Sequence, residues 1–172
     1  IDSYNMFSGA QDRFDWNLVG KKTMLIPHAN TAISQDGAAD IITSSRNFIN
    51  PSLYRYEERE VAIVEATLKA GSRHIFPRQM MYVSTDEHNG IMIRDHYDGQ
   101  GNLAKHQIGS RAYEEAAGNC QYNGEQTIDF ATRSFVIQNT LGEGHDDMAV
   151  TYDTINMGMN FYSPDGLRRF AR

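Results

Sequence analysis

The feature that most narrows the fold is a pair of turn signals in close succession. Asn89-Gly90 separates "HIFPRQMMYVSTD" from "IMIRDHYD", and Asp98-Gly99, with Gly101 just behind, separates the latter from "NLAKHQI". Asn, Asp and Gly tolerate positive φ at low steric cost, which a tight turn between antiparallel strands requires. The flanking segments are rich in alternating, β-branched and aromatic residues, so each turn reads as a hairpin. Two hairpins in a row make an antiparallel meander. Pro77 has no N–H to give to a ladder and is expected at an edge, a bulge or the start of its strand.

The neighbouring segments extend this pattern. Tyr54–Lys69 carries Val61, Ile63, Val64 and Thr67 and reads as a long strand, pairing with His74–Ser84 through the turn Ala70–Arg73. "GEQTIDFATRSFVIQN", after Asn123-Gly124, reads as one strand, and "MAVTYDTIN" and "MNFYS" as shorter ones. Asp15–Pro27 alternates imperfectly, with Leu18, Met24 and Ile26 on one face and Val19 and Leu25 on the other. A strand apolar on both faces needs both covered. Asn30–Ile49 is polar and rich in small residues, and reads as a loop with a short element. Gly109–Gly118 reads as one or two helical turns. Ser163 followed by Pro164 is a helix start, with serine as cap and proline in the first position. The expected architecture is mainly β: a curved antiparallel sheet of many strands with little helix.

Composition removes several function classes. The chain has 172 residues, enough for one domain with a substantial core. Its net charge is −6, with 16 Lys and Arg against 22 Asp and Glu, which argues against nucleic acid as a partner. No window approaches the roughly 20 apolar residues of a spanning helix. The chain opens on Ile1 without a leader pattern, which leaves a processed protein or a piece of a longer one. The single cysteine, Cys120, can form neither an internal disulfide nor a metal cluster alone, and it has no nucleophile signature around it.

The histidines His28, His74, His88, His96, His106 and His145 lack the helical spacing of a zinc protease. His96 and His106 face each other across the Asp98–Asn102 turn on this reading, and with Asp95 or Asp98 would make a metal site; a plain hairpin surface is the competing reading. "DHYDGQGN" fails the spacing of a calcium loop, since Tyr97 stands where an oxygen ligand is needed. Gly142–Met148, "GEGHDDM", reads as an exposed loop more readily than as an acid–base pair. No phosphate loop and no nucleophile elbow are present. No cofactor, metal or catalytic residue is therefore assigned.

The apolar pattern says more. Phe76, Met80 and Tyr82 fall on one face of their strand, and Ile75, Met81 and Val83 on the other; Tyr97 extends the Ile93 face of the next strand. Eight methionines offer soft surfaces that repack around varied shapes. Two readings remain open: a sheet covered on both faces by protein, or a curved sheet whose concave face holds a hydrophobic ligand. On the second, Trp16, Met24, Phe76, Met80, Tyr82 and Tyr97 are the candidate ligand-binding residues.

"YNMFSGAQDRFDWNLVGKK", "RYEEREVAIVEATLKAGSRHIF", "YDGQGNL" and "SPDGLRRFAR" together resemble a Gram-negative envelope family, domain-of-unknown-function family 1329. The resemblance runs from about Tyr4 to the C-terminus. It implies a fold like the lipoprotein-sorting carriers LolA and LolB: a strongly curved, incompletely closed antiparallel barrel with helices as a lid and a concave face for acyl chains. It also implies a periplasmic or outer-membrane-associated location. Residues 1–172 would be a single domain or the C-terminal part of a larger one, completed by an N-terminal segment. Trp16 is then expected at the rim, and whichever of Lys21 and Lys22 points inward would meet an anionic headgroup. Two function classes follow, neither enzymatic. One is a carrier or chaperone for a lipid, a lipoprotein acyl chain or another hydrophobic molecule. The other is an interaction subunit of an envelope transport complex.

Overall fold

Among the described residues seven strands follow one another in chain order and pair only with their sequence neighbours. They are β1 (Phe14–Pro27), β2 (Tyr56–Leu68), β3 (Arg78–Ser84), β4 (Ile91–Tyr97), β5 (Leu103–Glu114), β6 (Asn119–Asp129) and β7 (Ser134–Gln138). All pairs are antiparallel, and among the described residues β1 and β7 do not pair, so the sheet is open. Among the described residues helix is limited to α1 (Ala38–Ile42), α2 (Pro164–Phe170) and short 3-10 turns. The computed structural model describes residues 3–35, 37–44, 49–86, 89–114, 118–138 and 159–170.

Local chemistry accounts for most of these elements. At the β3–β4 turn Asn89 takes φ 40°. At the β4–β5 turn Asp98 accepts hydrogen bonds from the backbone N–H of Gln100 (2.8 Å) and Asn102 (2.9 Å), the self-capping that places Asp in turns. Pro77 stands just before β3, outside the ladder, with its carbonyl accepting from Leu68 N–H. Ser163 Oγ accepts from Gly166 N–H at 3.0 Å at the start of α2.

Several expectations are corrected. The run "GEQTIDFATRSFVIQN" is a hairpin, because Asp129 accepts from Thr132 N–H and turns the chain between β6 and β7. Residues 109–114 continue β5, where pairing with β6 outweighs their modest helix propensity. "MNFYS" forms a 3-10 turn, Met159–Tyr162, not a strand. "MAVTYDTIN" and Gly142–Met148 lie outside the described residues. A bulge at Val19 separates Leu18, opposite Val64, from Gly20, opposite Ile63. Gly20 sits at φ 155°, where a side chain would be strained. The extra residue inverts the alternation, so Leu18 does not share a face with Met24 and Ile26.

The two faces of the sheet are closed differently. One, the lid face, carries Met24, Ile26, Val61, Ile63, Tyr82 and Ile93, packed with Met92 of β4. The sheet bends toward this face. Ile26 at the end of β1 joins the cluster of β4 residues three strands away, and Asn30 N–H donates to the Arg111 carbonyl of β5 at 3.0 Å. The β1–β2 connection then crosses this face as a lid. Ile33, Ala38 and Ile42 form its apolar underside, with Leu53, Tyr54 and Ile137 of β7 packed against them. Asn30 pins the crossing: its side chain accepts from Arg55 N–H, and its carbonyl accepts from Asn123 Nδ2 at 2.7 Å. The opposite, strap face is closed by residues 3–7, which lie over β4, β5 and β6 with Met6 buried.

Candidate functional site

Between the lid and the edge strand β7 lies a half-open cleft of about 390 Å³, lined by Ile33, Ala39, Ile42, Thr43, Phe135, Val136 and Ile137. Apolar side chains dominate this lining, and Thr43 turns its hydroxyl to the Ala39 carbonyl rather than to the cleft. Such a concavity takes apolar matter and offers little that is reactive. From the cleft the lid face continues as a floor in two cross-strand rows. The first runs Ile63, Tyr82, Ile93, Ile108, Gln126 and Ile137 from β2 to β7. The second runs Glu65, Met80, Asp95, His106, Ile128 and Phe135. In this second row Asp95 Oδ1 holds His106 Nδ1 at 2.6 Å, and both side chains are mostly buried. Tyr82 lies against Asp95; burial, reinforced by that carboxylate, pushes the Tyr82 hydroxyl up. Beyond, Arg78 pairs with Glu65 at 2.6 Å and stacks 4.5 Å over the Tyr97 ring.

The strap face is polar and sealed. Arg94, Gln79, Gln107, His96 and Glu125 are each no more than 1% exposed. Arg94 donates to Gln79 Oε1 and to the Met6 carbonyl, and its guanidinium lies 4.9 Å over the Phe7 ring. Glu125 accepts from Met6 N–H at 2.7 Å, from the Tyr122 hydroxyl at 2.8 Å and from Gln138. Gln107 donates to the Ser3 carbonyl at 3.0 Å and receives His96 Nε2–H at 2.8 Å. Each buried group thus reaches a backbone group of the strap directly or through a neighbour. Burial, then the Arg94 charge, pushes His96 down to about 4, so it is a neutral donor at physiological pH. Asn5 and Met6 hold positive φ of 49° and 66°, a conformation that these contacts impose on the strap. Gly109 admits it: a Cβ there would sit 2.9 Å from Met6 Cγ.

The six sequence-derived ligand candidates do not share a face. Met24, Met80, Tyr82 and Tyr97 lie on the lid face, half-buried. Trp16 and Phe76 lie on the strap side. Trp16, 39% exposed, meets Phe7 edge-on at 5.5 Å and donates its N–H to the Gln11 carbonyl, not to water. Phe76 packs on His96 with ring centres 5.0 Å apart. Phe76 leaves the Met80–Tyr82 face because Pro77 ends the ladder before it. Lys21 and Lys22 occupy opposite faces and both are exposed; Lys21 pairs with Glu60 at 2.9 Å. His96 and His106 also point to opposite faces, since His96 stands opposite Lys105, the residue next to His106 on β5, and so they share no metal. Among the described residues no group of three His, Cys, Asp or Glu side chains is arranged to hold a metal ion.

The sequence reading missed Arg94, Gln79, Gln107 and Glu125. A strand face bearing Arg, His and Gln reads as solvated, and its cover comes from residues about 90 to 120 positions away. It also missed Phe135 and Ile137 of the cleft, because their strand was merged with β6.

The chain is 39% identical over 102 residues to the uncharacterized protein PA3922 of Pseudomonas aeruginosa, a match covering 59% of this chain and 22% of that protein. It is similar to a DUF1329 family protein from Desulfovibrio piger, with TM-score 0.48, 16% identity and coverage of 91% of this chain and 48% of the other. It is also similar to an outer membrane lipoprotein-sorting protein domain, as that structure is described, from Vibrio parahaemolyticus. There the TM-score is 0.45 with 9% identity, over 95% of this chain and 52% of the other. The chain thus spans about half the length of those solved structures and 22% of the curated relative. Because the family's sequence model matches residues 1–168, the chain belongs to the family described as protein of unknown function (DUF1329).

Proposed function

We propose that this chain is the lid-bearing part of a non-enzymatic carrier of the Gram-negative envelope, which shelters a lipid, an acyl chain or another hydrophobic molecule on its lid face. The observation that carries this reading is the cleft of about 390 Å³ between an apolar lid and the edge strand, running into a half-buried floor of Met80, Tyr82 and Ile128. Apolar surface left reachable at a concavity, not at a flat patch, suits a guest molecule. On this reading residues 1–172 are a portion of a larger domain of the same type. No helix among the described residues is long and apolar enough to cross a membrane, which fits a carrier that meets its membrane from outside.

Native mass spectrometry followed by organic extraction tests the proposal. A stoichiometric hydrophobic mass that disappears when the cleft is filled by Ala39→Trp is the expected result. A clean single-chain mass that takes up no added amphiphile would overturn it.

A second reading, an interaction subunit of an envelope complex, is favoured by β1. This strand spans fourteen residues, is unpaired on one side among the described residues, and exposes Leu18, Val19 and Leu25 at 64%, 53% and 59%. Long apolar edges recruit further strands. The same spectrum distinguishes this reading by a second polypeptide in place of a small molecule.

A further inference from the structure

The lid-face floor carries the polar side chains Glu65, Asp95, His106 and Gln126; Glu65 is paired with Arg78, and Asp95 and His106 pair with each other. Asp95 and His106 stand side by side in the second row, with Met80 on one flank and Ile128 and Phe135 on the other. Ile93 and Ile108 of the first row sit beside them. A carboxylate that holds an imidazole at 2.6 Å fixes its tautomer. Asp95, an acceptor when ionised, takes the Nδ1–H, and in that tautomer Nε2 carries the lone pair. That nitrogen makes no hydrogen bond among the described residues, and the His106 side chain is 26% exposed. Phe135 lines the cleft and Ile128 stands between it and His106, so the imidazole lies two strand spacings, about 10 Å, from the cleft wall.

We infer that the Asp95–His106 pair is the polar-end subsite of the carrier, and that the guest is an uncharged amphiphile whose hydroxyl donates to His106 Nε2 while its hydrocarbon body runs past Ile128 and Phe135 into the cleft. This deepens the carrier reading and rests on it. The charge balance selects an uncharged hydroxyl over a carboxylate. Arg78, the cation nearest on this face, is already paired with Glu65, which leaves the Asp95 charge to repel an anionic head. A hydrocarbon without a polar end would bury the imidazole lone pair unpaired, which costs affinity.

The test is displacement of the apolar fluorophore N-phenyl-naphthylamine from the full chain by 1-dodecanol and by its methyl ether, which cannot donate. The alcohol is expected to displace the fluorophore at about fivefold lower concentration than the ether, the size of one net hydrogen bond. His106→Phe should abolish that ratio while fluorophore uptake persists, and His106→Gln, whose carbonyl accepts a hydroxyl, should restore part of it. Equal displacement by alcohol and ether in the unaltered chain would overturn the subsite and leave the carrier reading standing. Failure of the chain to take up fluorophore, alcohol or ether would remove the carrier reading and the subsite with it.

Discussion

The strap face and the lid face belong to the same seven strands, yet they are closed by opposite chemistry. On the strap face, five buried polar side chains bind backbone groups of Ser3 and Met6 or brace the side chains that do. Such a network leaves no slack, because every buried donor or acceptor that loses its partner keeps its full desolvation cost. On the lid face, Ile33, Ala38 and Ile42 meet the sheet through apolar contacts alone, which are non-directional, and a cleft remains beside them. The polar face is therefore the part that sets the structure, and the apolar face is the part with room to change occupant.

That contrast is open to direct attack. The largest effect is expected from Arg94→Met, which strips Gln79 and the Met6 carbonyl of their shared donor. It should cost about 2–5 kcal/mol in denaturant unfolding, since two buried acceptors are left unpaired. A loss below ~1 kcal/mol would mean the strap is decoration.

Next comes pH. His96 is held neutral in the fold with a pKa of about 4, against 6.5 when unfolded, so the unfolded state binds the extra proton between those values. Stability is then complete above pH 6.5, falls as pH drops toward 4, and loses about 3 kcal/mol over that window. His96→Gln should flatten the slope, read as Tm against pH.

Gly109→Val comes third. Its side chain collides with Met6 Cγ and the Ile91 carbonyl, and should cost about 1–3 kcal/mol by lifting the strap. Proteolysis between residues 3 and 13, slow in the unaltered chain, should become fast.

The smallest change in stability is expected from Ala39→Trp, at a half-buried helix position lining the cleft, about 1 kcal/mol or less, yet it should abolish uptake of an apolar fluorophore. If instead this lid substitution unfolds the chain while Arg94→Met spares it, the division of labour between the faces is reversed.

Sequence patterns of short range were readable in advance. Asn89-Gly90, Asp98-Gly99 and the Ser163-Pro164 start report on the conformation of their own backbone, and each turn and cap stands where its residues place it. The mainly β, open antiparallel meander follows from them. What lay beyond reach was sidedness. Strand alternation has a period of two, so one extra residue at Val19, or the end of the ladder at Pro77, moves Leu18 or Phe76 to the other face without altering the local pattern. Four of the six ligand candidates thus share the lid face, and Trp16 and Phe76 do not.

By itself, then, the sequence determined the meander from β2 to β5 with its tight turns, and the presence of more apolar surface than one face can hide. The tertiary structure decided which face became a cleft and which a sealed core. Arg94 and Glu125 are ordinary strand residues until Met6 arrives from 88 and 119 positions away to give them partners. Burial of a charge is a property of the pair and not of either residue, so only the folded chain can assign it.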